Sequence, residues 1–142
     1  MGCDIHVHVE VKIGDQWEHY GIPSVDRDYR LFAHLAGVRN YDHDEPVAIP
    51  RGIPEDATTL TKFHFAWMNG DAHTPSWLAR EEVALAVKRA AKGIPGTDEN
   101  RRFYNPFGYV FGNPVFRELP GYSLDELPEG IEDARIVFWF DN

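Results

Sequence analysis

The chain has 142 residues, 14 basic against 23 acidic side chains, a net charge of −9 and 43% hydrophobic residues. This is one compact domain spanning 1–142, of ordinary globular composition and long enough to bury most of its unfolded surface. An acidic balance with no Lys/Arg-rich run excludes general nucleic-acid binding, the single cysteine excludes an internal disulfide, and no apolar run reaches membrane-spanning length.

Residues up to Ile13 predict a strand of period two. Cys3, Ile5, Val7, Val9, Val11 and Ile13 point one way, and Asp4, His6, His8, Glu10 and Lys12 the other. Gly14-Asp15 is a two-residue hairpin signal, so Gln16 to Tyr20 returns as a second strand before Gly21-Ile22-Pro23-Ser24 breaks the pattern. Asp28 caps a helix from about Tyr29 to Ala36, with Gly37 as its stop.

Residues 38–56, punctuated by Pro and Gly, predict a long loop, and such loops in compact domains are more often working loops than spacers. Thr58 to Met68 reads as helix, with strand left open by the alternation of Phe63, Phe65 and Trp67. The strongest helix pattern ends at Lys92, and Thr74 or Ser76 is expected to cap its start. In it Val83, Val87, Ala90 and Ala91 face the core, while Arg80, Glu81, Lys88 and Lys92 face water. Tyr109-Val110-Phe111 reads as a short strand and Leu124 to Leu127 as a helical turn. Ala134 to Phe140 is apolar on both faces and reads as a central strand. Together these predict an α+β fold: a mixed, mostly antiparallel sheet joining the first and last strands, with two or three helices packed on one face.

Met1-Gly2-Cys3-Asp4-Ile5-His6, Leu35-Ala36-Gly37-Val38-Arg39-Asn40, Arg51-Gly52-Ile53-Pro54, Asp71-Ala72-His73-Thr74-Pro75-Ser76-Trp77-Leu78 and Val137-Phe138-Trp139-Phe140-Asp141-Asn142 form a distinctive set. The whole resembles a family of small, functionally unassigned phage and bacterial proteins. The resemblance implies a phage or prophage setting and no particular activity. With no secretory signal at the N-terminus, the expected location is the cytoplasm of a bacterial host.

Three groups of residues carry chemistry. Asp4, His6 and His8 stand two apart on one strand face, roughly 6.5–7 Å between neighbouring Cα atoms. They are the expected ligands of a divalent metal such as Zn or Mn, with Glu10 as a catalytic carboxylate. A solvated strand face explains their polarity but not the choice of histidine. His6-Val7-His8 also resembles the first-strand ligands of barrel metallohydrolases, but a barrel needs roughly 200 residues or more. Asp71 and His73 are the second catalytic candidates; Thr74 and Ser76 beside them would seat an anion at a helix start, or act simply as caps. Arg39 and Arg51 are the expected substrate-binding forks, with ion pairing to carboxylates as the alternative. His19, His34 and His64 read as surface or partly packed residues. Gly2-Cys3 does not fit a myristoylation signal, because His6 stands where Ser or Thr is needed.

The expected function is a metal-dependent hydrolase of a small anionic substrate, such as a phosphoester or a nucleotide second messenger in a phage anti-defence setting. The alternatives are a phage protein that sequesters a nucleotide-like ligand or docks a host protein, and a virion or assembly accessory protein.

Overall fold

A computed structural model describes residues 2–68, 70–92, 127 and 129–142. The expected short strand at Tyr109–Phe111 and all but the last residue of the expected turn at Leu124–Leu127 lie outside the described residues.

The fold is α+β, and its sheet is antiparallel throughout. The strands are β1 (Asp4–Ile13), β2 (Gln16–Gly21), β3 (Ala72–Ala79) and β4 (Asp133–Asp141), in the order β2-β1-β4-β3. The helices are α1 (Tyr29–Ala36), α2 (Thr59–Met68) and α3 (Arg80–Lys92). Gly14 and Asp15 take φ of 56° and 66°, the paired positive values of a type I′ turn, which pins Ile13 opposite Gln16. Between Val9↔Gly21 and Glu10↔His19 the register slips, leaving Tyr20 as the extra residue of a bulge.

The alternation of β1 becomes the two faces of the sheet. Cys3, Ile5, Val7, Val9 and Val11 are buried with Ile136, Phe138 and Phe140 of β4, Leu78 of β3, Leu31, Phe32 and Leu35 of α1, and Val83 and Val87 of α3. Full burial of these groups supplies the main driving force for folding. The first and last strands pair along their whole length, from Asp4↔Asp141 to Lys12↔Asp133. β4 lies inside the sheet with both faces covered, as its doubly apolar sequence predicts.

The helices divide between the faces. α1 and α3 cover the apolar face, while α2 crosses the polar one, where Thr61, His64 and Phe65 meet Glu10, His8 and Trp139. Asp28 caps α1 through the Leu31 N–H, and Gly37 closes it in the left-handed region at φ 72°.

One expected boundary is wrong. Thr74 and Ser76 do not cap a helix; they lie on β3, and α3 begins only at Arg80. The physical start signal is Glu82, whose carboxylate accepts the Ala79 N–H, the backward half of a capping box. Upstream of it, Ser76 and Leu78 point into the core, the period of a strand. Arg80, expected in water, is buried instead, at 8% exposure.

Candidate functional site

The polar face of β1 is organised by its neighbours into two parts. Directly opposed residues of paired strands share a face, so Glu10 meets His19 on one side and Arg135 on the other, while His6 meets Trp139.

At the first part Glu10 is fully buried. One carboxylate oxygen accepts from Arg135 Nε at 2.9 Å; the other accepts the Thr58 N–H and the Thr61 hydroxyl, both at 2.8 Å. Arg135 also reaches Asp56 at 3.0 Å and lies 4.0 Å from the Trp17 ring centroid. This cluster fastens the start of α2 to the sheet and leaves Glu10 no opening toward a substrate.

The second part is a group of imidazoles floored by Trp139. His8 is fully buried and uses both ring nitrogens: Nδ1 lies 2.9 Å from His19 Nε2, and Nε2 lies 2.8 Å from His64 Nδ1. Its ring stacks on Trp139, with centroids 5.3 Å apart. The His64 ring meets both His6 and Trp139 edge-on. Trp139 is held by its indole N–H, which donates to Met68 Sδ at 3.0 Å. Burial above all, and then the neighbouring His19, His64 and His6, together push His8 down to about 3. Burial lowers His19 and His64 as well, so all three rings are neutral at pH 7.

His6 points to the sheet end, where its Nε2 pairs with the Asp141 carboxylate. The two side chains keep 28% and 23% of their surface in solvent. Beside them Arg27 grips Asp4 through two contacts of 2.6 and 3.2 Å, which hold the Asp4 carboxyl below its ordinary range.

Around the same end, on the opposite face, Asn142 Oδ1 lies 3.4 Å from Arg39 Nη2 and 3.3 Å from His73 Nε2. Arg39 lines a cavity of about 180 Å³ with Tyr29 and Tyr41. Arg39 and Thr74 carry positive φ of 51° and 52°, backbone strain of the kind that clusters at working sites.

The expected ligands and catalytic groups are therefore dispersed. Asp4 is drawn to Arg27, His6 to Asp141 and His8 to two imidazoles. Among the described residues, no three His, Cys, Asp or Glu side chains are arranged to hold a metal ion. His73 lies on the core face, stacked on Phe140, so the sheet separates it from His6. Asp71 is exposed in the turn before β3. Arg51 forms a bidentate pair with Glu82 at 2.7 and 2.6 Å and covers Trp77, while Ser76 Oγ accepts the Arg51 N–H. These contacts clip the long loop to the edge of the sheet. Thr74 is held by the His73 ring at 3.0 Å.

His19, His64 and Asp141 join the candidate site without having been expected there from the sequence. Only His19 left a signal: counting back from the Gly14-Asp15 turn puts it opposite Glu10.

No helix among the described residues is long and apolar enough to cross a membrane. Comparison of the chain with protein-family models, curated proteins and solved structures gives no match.

Proposed function

We propose that the protein is a hydrolase of a small anionic substrate, with His6 as its general base and Asp141 as the group that orients it. The observation that carries this reading is the His6–Asp141 pair itself: a carboxylate fixes one imidazole nitrogen, and both side chains stay partly open to solvent. That is the base-plus-orienter arrangement that hydrolytic chemistry uses. Arg27, paired with Asp4 beside His6, and Arg39, on the other face of the same sheet end, are the guanidinium groups that an anion would draw from their present partners.

The substrate class that fits is a phosphoester or nucleotide, and the setting is the cytoplasm of a bacterial host, with a phage-encoded enzyme acting against a nucleotide signal of host defence. No step in this reading passes through the divalent metal expected at Asp4, His6 and His8, because each of those side chains is held by another partner.

The test is a turnover screen on p-nitrophenyl phosphate and linear and cyclic nucleotides. His6→Gln and Asp141→Asn should lower kcat by about 10²–10⁴-fold, the range of a positioned general base. Melting temperatures should move by only a few degrees, since partly exposed polar side chains contribute little to stability. Binding of an intact nucleotide with no turnover on the whole panel would replace the enzyme with a sequestering protein.

A further inference from the structure

His19, His8 and His64 come from three different elements, β2, β1 and α2, yet their ring nitrogens form one unbranched line. The line starts at a cavity of about 550 Å³ beside Trp17, which His19 borders. It passes through the fully buried His8 and ends at His64, whose ring edge meets His6 with centroids 5.5 Å apart. Trp139 packs against His8 and His64, and Phe65 backs Trp139. We infer that His19, His8 and His64 are a proton relay joining the cavity beside Trp17 to the neighbourhood of His6.

The geometry permits two arrangements. A neutral imidazole carries one N–H and one bare nitrogen. Each contact in the line needs one of each, so the protons align in a single direction. In the first arrangement all three rings carry the proton on Nε2. His19 Nε2–H donates to His8 Nδ1, His8 Nε2–H donates to His64 Nδ1, and His64 Nε2–H points onward. In the second arrangement all three carry it on Nδ1, and every donor becomes an acceptor.

Passage between the two balances. A proton enters at His19 Nδ1, and the His19 Nε2 proton bonds to His8 Nδ1. The His8 Nε2 proton bonds to His64 Nδ1, and the His64 Nε2 proton leaves. Each ring gains one proton and loses one, so the line is neutral before and after. A long-lived imidazolium at the buried centre is strongly disfavoured, because burial opposes the charged form. A base near His6 that takes a proton from substrate and later returns it would run the line from His64 to His19, starting from the second arrangement, and then back. In that destination the relay rests on the hydrolase reading; the measurement below needs no turnover.

The test is ¹⁵N spectroscopy of the imidazole rings, which separates protonated from bare nitrogens. In the folded protein at pH 7.5 His19, His8 and His64 should show averaged shifts with the same Nε2-to-Nδ1 weighting. His64→Leu should change the weighting at His19, two rings away. In a His8→Phe background the same substitution should leave His19 unmoved. Should His8→Phe fail to fold, the wild type and His64→Leu decide the matter alone. Opposite tautomers at His19 and His64, a His8 ring frozen in one tautomer, or a His19 indifferent to His64→Leu would overturn the relay. So would one equivalent of zinc that shifts all three rings together, which would make the cluster a metal site instead.

Discussion

With its carboxylate shared among Arg135, Thr58 and Thr61, Glu10 has the residue type of a catalytic base and the surroundings of an anchor. Removing its charge leaves Arg135 buried with Asp56 as its one acidic partner among the described residues. Breaking one side of such a buried pair costs about 3–5 kcal/mol. Glu10→Gln should fall near the lower end, because the amide oxygen still accepts one bond and Asp56 remains. Urea denaturation measures this; a loss below about 1 kcal/mol would show that the pair contributes little. At this scale the sequence was partly legible. The polarity of Asp4, His6, His8 and Glu10 could be read, but not the partner that each one takes. Apart from His19 on β2, which the turn count places, those partners lie on β4, on α2 and just before it, and in the loop before α1, and strand spacing carries no information about them.

Among the elements, β1, β2, α1 and β4 follow from local patterns strong enough to survive packing. Alternation, a type I′ turn, an Asp cap and a Gly stop all agree with the tertiary structure. β3 was not legible, because Thr74 and Ser76 imitate a helix cap and Pro75 suits a first helical turn. What decides there is the alternation of Ser76 and Leu78 into a core already built by β4. α2 hides its purpose for a related reason: its sheet-facing residues Thr61, His64 and Phe65 are mixed in character, while Leu60, Phe63 and Trp67 remain exposed. The capping geometry of α1 can be tested directly. Gly37→Ala forces a side chain into the left-handed region at φ 72°, which costs about 1–2 kcal/mol. The melting temperature should drop accordingly, and an unchanged value would mean that the α1 terminus rearranges freely.

Across the whole molecule, the buried imidazoles tie stability to pH. His8 sits at about 3 in the folded protein against an ordinary 6.5. Between those values the unfolded chain binds a proton that the folded chain refuses. Stability is therefore fully present above pH 6.5 and is lost as pH falls toward 3. Each imidazole that stays neutral contributes a slope of about 1.4 kcal/mol per pH unit. His19, His64 and His34 are lowered in the same direction and steepen the fall once pH drops below 6.5. Thermal melts at pH 7.5, 6.5 and 5.5 should show a plateau followed by a steep decline, shallower in His8→Phe. A melting temperature that is flat down to pH 5.5 would contradict the neutral buried cluster.

The pairing of β1 with β4 also constrains how the chain acquires its shape. The two central strands come from opposite ends of the described chain, Asp4 against Asp141, so the middle of the sheet is its most non-local contact. The β1–β2 hairpin is a local contact that closes at little entropic cost, but the core on its apolar side is completed only when β4 pairs with β1. During synthesis Ile5, Val7 and Val9 therefore lack their β4 neighbours until residues 133–141 have been made. High contact order of this kind gives slow refolding and a long window for misassociation. The polar alternation of Asp4, His6, His8 and Glu10, whatever chemistry it serves in the finished protein, keeps the waiting strand from being a wholly apolar edge.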